Sequence, residues 1–325
     1  MIRTVLALSV LSAAPVQADV SRAVTDHILP GFAQFATHAE ALSATAAADC
    51  TPAAVQPAYQ AAFDAWLGVA NLHIGPSETG ALSIAYWPDD RAFTPRALTA
   101  LIADPASRDP ATFAEVSIAA RGLFALDMLL YDPAFAGYAA GDATCTLVQV
   151  VSADLAAQAT ALDAAWRDAF AAVLTSAGAP GNATYMTGDE ALRALYTQLL
   201  TGLTFDADMR LARPLGTFDQ PRPRMAEAWR SGRPLRNVVL SVKAAQGLAH
   251  ALTDTDLPLT DAAVARVEVA ASRIDDPAFQ TVTDPQARLL VDVLHQRVAA
   301  VEVAIDTEIG GALGIAAGFN ALDGD

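Results

Sequence analysis

The clearest chemical demand in this sequence comes from Asp127, the only charged side chain in Gly122-Leu123-Phe124-Ala125-Leu126-Asp127-Met128-Leu129-Leu130-Tyr131. A helix apolar on all sides belongs inside a bundle, so its one carboxylate is placed in a core. There it must take up a proton, pair with a cation or ligate a metal, because an isolated buried ion is strongly unfavourable.

Two other groups have the residue types to answer that charge. Seven arginines, Arg210, Arg213, Arg222, Arg224, Arg230, Arg233 and Arg236, crowd one segment of an otherwise acidic chain. Such guanidiniums either fork onto carboxylates and carbonyls to pin an irregular segment, or wall a pocket that binds an anionic ligand or compensates a buried acid such as Asp127. The second group runs from Asn71-Leu72-His73-Ile74-Gly75-Pro76-Ser77-Glu78 to Tyr86-Trp87-Pro88-Asp89-Asp90-Arg91. Gly-Pro and Pro-Asp-Asp are turn sequences, so an irregular connection is expected to hold aromatic, acidic and imidazole groups together. The other histidines, His27, His38, His250 and His295, are scattered over helical stretches, where surface or satisfied core positions account for them.

Conventional hydrolase, zinc-site and nucleotide motifs are absent: there is no HExxH, paired CxxC, GxSxG or Walker loop. The glycine-rich ending through Asp323 and Asp325 lacks a phosphate-loop lysine, and a solvated carboxyl end accounts for its acids. With 20 Lys plus Arg against 36 Asp plus Glu, the net charge of −16 opposes binding to nucleic acid or an anionic membrane.

The first 18 residues read as a signal peptide. Arg3, the apolar run Val5 to Leu11 and the small residues before Asp19 predict cleavage after Ala18 and a periplasmic or secreted chain. No later stretch reads as a membrane span. In that compartment Cys50 and Cys145 can form a disulfide; two small buried thiols are the alternative.

Composition and spacing make the chain all-α. Helices are expected at about 21–47, 51–72, 110–131 and 144–175, then at 189–210, 234–252, 261–275 and 285–309. Ser176 to Asn182 breaks the pattern, so residues 19–177 and 183–325 form two up-and-down bundles of about four helices each, packed side by side.

Six segments then carry a family resemblance. Trp66, Leu72-His73-Ile74-Gly75-Pro76, Tyr86-Trp87-Pro88-Asp89, Gly122 to Asp127, Glu227-Ala228-Trp229-Arg230-Ser231-Gly232-Arg233-Pro234-Leu235-Arg236-Asn237 and Gly318 to Asp325 occur in that order. Together they resemble the imelysin-like family, also called peptidase family M75, over essentially the whole mature chain. The resemblance implies an exported, two-bundle helical protein associated with bacterial iron acquisition. It also implies a GxHxxE pair, histidine and glutamate on one helix face, that coordinates a metal.

Here the aligned residues are Gly122, Phe124 and Asp127, so hydrocarbon stands where the histidine would ligate. A divalent metal or iron would then need Asp127 with His73 or other donors from the turns. The resulting expectation is a non-enzymatic binding protein of iron or other metal uptake, its partner a small ligand, a metal or an envelope protein. The cleft between the halves would be lined by His73, Gly75, Pro76, Trp87, Asp89, Asp127, Trp229, Arg230, Arg233 and Arg236. Asp127 is expected to pair with Arg121 or with an arginine of the 210–236 segment. A divergent metallopeptidase and an envelope interaction module are the alternatives.

Overall fold

The computed structural model describes residues 19–311; the signal-peptide reading and the tail acids Asp323 and Asp325 lie outside the described residues. Every regular element described is helical, and an isolated β-bridge pairs Thr217 with Gln220.

The chain enters through the turn Val20–Arg22 and a π-helical segment Ala23–Ile28, which run into α1 (Leu29–Ala48). Phe32, Phe35, Ala39 and Leu42 are buried on α1, as their three-and-four spacing requires. Next, α2 (Pro52–Leu67) opens with proline after Thr51, where a missing N–H costs nothing. α1 packs between α2 and α6 (Ala143–Ala165), which continues through a π segment, Trp166–Phe170, to Ala171–Thr175. That continuous stretch is long and apolar enough to cross a membrane, but 56% of its most apolar window is buried inside the protein, as in a core helix. Trp166 stacks on Phe32 at 4.9 Å and donates its indole N–H to Ser77 Oγ at 2.7 Å, so its polar edge is satisfied in the core.

Three local expectations change. The connection after α2 is not wholly irregular: it contains α3 (Ser77–Ile84) and α4 (Phe93–Ala103). α2 ends at Leu67, five residues before the expected Leu72, and leaves through tight turns. The helix expected from residue 110 begins only at Gly122, as α5 (Gly122–Tyr131), after the 3-10 turns Phe113–Glu115 and Ile118–Ala120. Gly122 causes the late start. Its φ of +70° is not helical, and a Cβ there would lie 2.2 Å from the Ile84 carbonyl oxygen, so the chain reverses against α3 at a point only glycine can occupy.

The second half contains α7 (Gly188–Phe205), α8 (Pro234–Leu252), α9 (Pro258–Ala271) and α10 (Pro285–Ile305). Thr187 caps α7 and Asp284 caps α10, each by accepting backbone N–H groups of the first turn. The first described residues also touch this half: Asp19 N–H donates to Leu252 O at 3.1 Å and Arg22 Nε to Ala251 O at 3.0 Å.

Cys50 and Cys145 form a disulfide that joins the entry of α2 to the first turn of α6, 95 residues apart. Replacing both by alanine is expected to lower the unfolding free energy by about 2–4 kcal/mol, because the unfolded chain loses a large loop constraint. Urea denaturation of the oxidised protein and the double variant measures it.

Candidate functional site

On α5, Phe124 and Asp127 stand three residues apart and share a helix face. Phe124 is nearly buried. Its ring meets Phe63 edge-on at 5.6 Å and stacks on Trp87 at 6.3 Å, and Trp87 in turn meets Phe205 edge-on at 6.0 Å. The Trp87-Pro88 peptide is cis. One aromatic cluster therefore links α2, the Trp87 turn, α5 and the end of α7.

Asp127 is 2% exposed. Its Oδ1 accepts the Ser231 N–H at 3.2 Å and the Tyr59 hydroxyl at a long 3.5 Å. Burial pushes the carboxyl up to about 6, against hydrogen bonding by Ser231 and the charge of Arg230. The expected ion pair with an arginine does not form. Arg121 instead forks onto Asp154 at 2.9 and 2.7 Å.

Most of the arginine segment is committed elsewhere as well. Arg210 donates to Asp206 at 2.5 Å and Glu227 at 2.7 Å; Arg213 pairs with Asp90 and Arg230 with Asp132. Arg233 reaches Asp64 at 2.7 Å, Asn237 at 3.0 Å and the Gln60 side chain, while Arg236 also forks onto Asp64. Asp64, Asp90 and Asp132 keep part of their surface in water, so pairing there carries a smaller desolvation cost than at Asp127. The segment's hydrogen bond to Asp127 comes from Ser231, with the charge of Arg230 acting from nearby.

These pairs tie the second half to the first. Arg213–Asp90, Arg230–Asp132, Arg233–Asp64 and Arg236–Asp64 all cross between them. Two aromatic faces of the first half add to the clamp, with Arg233 4.3 Å over Phe63 and Arg213 5.7 Å over Trp87, while within the second half Arg230 lies 4.6 Å over Trp229 and Arg210 5.0 Å over Phe205. Burial alone would lift the Asp64 carboxyl, but the hydrogen bonds from Arg236 and Arg233 outweigh it and hold it below its ordinary value. The pinning role expected of such guanidiniums is thus the one seen at these five arginines.

Behind the clamp runs a buried polar chain. Asn237 Nδ2 and Arg210 Nε both donate to Glu227 Oε2 at 2.7 Å, and Asn71 Nδ2 donates to Ser241 Oγ at 3.1 Å beside Asp206. Asp206 and Arg210 lie in a π-helical segment, Asp206–Leu211, and both are buried. Such single π turns recur at functional positions. Asp206 Oδ2 has no hydrogen-bond partner, and burial pushes this carboxyl up to about 6 despite Arg210.

The remaining candidates have local structural duties. Gly75 has φ +54° and a Cβ there would strike the Phe170 ring at 2.6 Å; Pro76 precedes α3 as its N-cap. Asp89 caps α4 by accepting the N–H groups of Phe93 at 2.8 Å and Thr94 at 2.7 Å. His73 is exposed and donates its backbone N–H to Gln198 at 2.8 Å. No contact joins His73 to Asp127. Among the described residues no group of three or more His, Cys, Asp or Glu is placed to hold a metal, and Phe124 offers none. These side chains do not by themselves complete a metal site, so a bound ion would have to bring other ligands with it.

Sequence reasoning missed Tyr59, Gln60, Asp64, Asp132 and Asp206, and quoted Glu227 and Asn237 in a motif without giving them a role. Asp206 with Arg210 and Arg233 with Asn237 carry a helical i,i+4 signal. Asp64 lies 169 residues from Arg233 and offers no local signal.

Comparison with known proteins agrees with this architecture. An imelysin-like protein from Psychrobacter arcticum superposes with a TM-score of 0.75 at 17% identity, covering 94% of this chain and 100% of that one. A protein from Parabacteroides distasonis named an iron-regulated protein A precursor gives 0.71 at 14% identity, covering 93% and 96%. At these identities the likeness shows the fold. No curated protein matches the chain. The family model of imelysin, peptidase M75, does match, over residues 28–305, and the chain belongs to that family.

Proposed function

We propose that this chain is an exported, non-enzymatic binding protein of the envelope serving iron or other metal uptake, and that its ligand engages the junction around Asp127. One observation carries the reading. Among the described buried carboxylates, Asp163, Asp206 and Glu227 each have an arginine within ion-pair distance, whereas Asp127 has only Ser231 and Tyr59. That leaves a negative charge to be answered by a cation or donor on a ligand, near the partly exposed ring of Tyr131. Family membership supports the context, as does a fold neighbour named an iron-regulated precursor. The leader-like first residues support export.

Untagged protein titrated with ferrous iron, and separately with ferric citrate, tests this. Binding of at least one probe, read by tryptophan fluorescence and equilibrium dialysis, is expected, with Asp127→Asn weakening it about tenfold. Binding of neither, or binding indifferent to Asp127→Asn, would overturn the proposal. Chelator-sensitive peptide cleavage abolished by Asp127→Ala would establish the metallopeptidase reading instead.

A further inference from the structure

Five of the seven arginines between residues 210 and 236 are neutralised by carboxylates; Arg222 and Arg224 are exposed and have no such partner among the described residues. They share one short protrusion with Phe218, which is 72% exposed. This segment is held in shape. Thr217 pairs with Gln220, Arg222 N–H donates to Pro214 O at 2.9 Å, and Arg288 of α10 donates to the carbonyls of Leu215 and Thr217. The Arg288 guanidinium also lies 5.9 Å over the Phe218 ring. A fixed aromatic ring in water, flanked by unpaired cations, has the makings of an interface anchor.

Next to it lies a feature of opposite character. A cleft of about 470 Å³ is lined by Ile274, Phe279, Leu290 and Val291, with Asp275 and Asp284 among its acids. Its volume is ample for one aromatic side chain. Asp284 is occupied in capping α10, but Asp275 is exposed and without a partner among the described residues. The Gln280 side chain, on the loop that lines the cleft, donates to Pro223 O at 2.9 Å, so cleft and protrusion are neighbours. Both flank the first turns of α10, where Arg288 touches the protrusion and Gln286 and Ala287 line the cleft.

We propose that this face docks a second copy of the chain about a two-fold axis: Phe218 of each copy enters the cleft of the other, and Arg222 and Arg224 meet Asp275. A two-fold contact requires that plug and socket occupy one patch on the same molecule, and both are here with opposite charge. An anionic lipid surface fits less well, because it would face the whole net charge of −16.

Sedimentation equilibrium of the whole protein, from about 1 to about 200 µM to cover weak to moderate affinities, tests this. A reversible dimer that weakens with salt is expected. The Arg222→Glu/Arg224→Glu double variant and the Asp275→Arg variant should each weaken it about tenfold or more. An equimolar mixture of the two should then regain wild-type affinity, because each contact in the mixed dimer again joins opposite charges. All these positions are exposed, and circular dichroism verifies that the variants are folded. A monomer over the whole range, a dimer indifferent to both variants, or variants that fail to pair on mixing would overturn the proposal. Binding of the monomer to anionic vesicles, lost in the arginine double variant, would assign the patch to lipid instead.

Discussion

Replacing Arg210 by methionine is expected to lower the unfolding free energy by about 3–5 kcal/mol, the usual cost of stripping the cation from a buried ionic group. Arg210 is 4% exposed and is the direct cation for both Asp206 and Glu227, which are 0% and 4% exposed. Without it, two carboxylates share a dry site, and at least one must take up a proton. Methionine fills similar space, so the loss isolates the charge. Urea denaturation should show a lower midpoint with an unchanged slope. Adding Asp206→Asn and Glu227→Gln to Arg210→Met should recover most of the loss. If the single variant is as stable as the wild type, the buried chain is not what holds α7 to the arginine segment.

Asp127→Asn is expected to act in the opposite direction and to stabilise the protein by about 1–3 kcal/mol at pH 7.5, the range implied by a shift of up to two units. The folded carboxyl is pushed from 3.8 up to about 6. Between those values the folded state binds a proton that the unfolded state releases, so wild-type stability falls as pH rises through about 6 and is undiminished below about 3.8. Asparagine removes the charge while its oxygen still accepts the Ser231 N–H. The Asp127→Asn curve of stability against pH should therefore lose part of the slope between pH 4 and 7. Asp206, also raised to about 6, should keep the rest. A less stable variant with an unchanged slope would mean that Asp127 stays ionised and paired throughout. Gain in stability with loss of ligand affinity is the pattern expected of a residue retained for binding rather than for folding.

The helical class and the long helices were legible because their cause is local. Phe32, Phe35, Ala39 and Leu42 announce the buried face of α1, and Leu294, Val298 and Val301 that of α10. α3 and α4 were not legible, because eight and eleven residues leave little periodicity to read. The start of α4 is disguised too: its N-cap residue Ala92 is left-handed at φ 53°, and the capping oxygens come from Asp89. The position of Gly122 hid its effect for a similar reason. A glycine before an apolar run reads as part of a helix until the Ile84 carbonyl is found where its side chain would be.

The sequence by itself determined that the chain is helical, that α5 is buried on every side, and that Asp127 carries a charge needing an answer. Helical periodicity and the cost of burying a carboxylate suffice for those conclusions, since both act within a few residues. Only the tertiary structure decided who answers. Arg230 passes Asp127 to reach Asp132, Arg233 and Arg236 converge on Asp64, and Asp127 receives a backbone N–H from Ser231. Partners 98 to 172 residues apart are matched by the path of the whole chain and by which carboxylates retain water, and neither is written in local spacing.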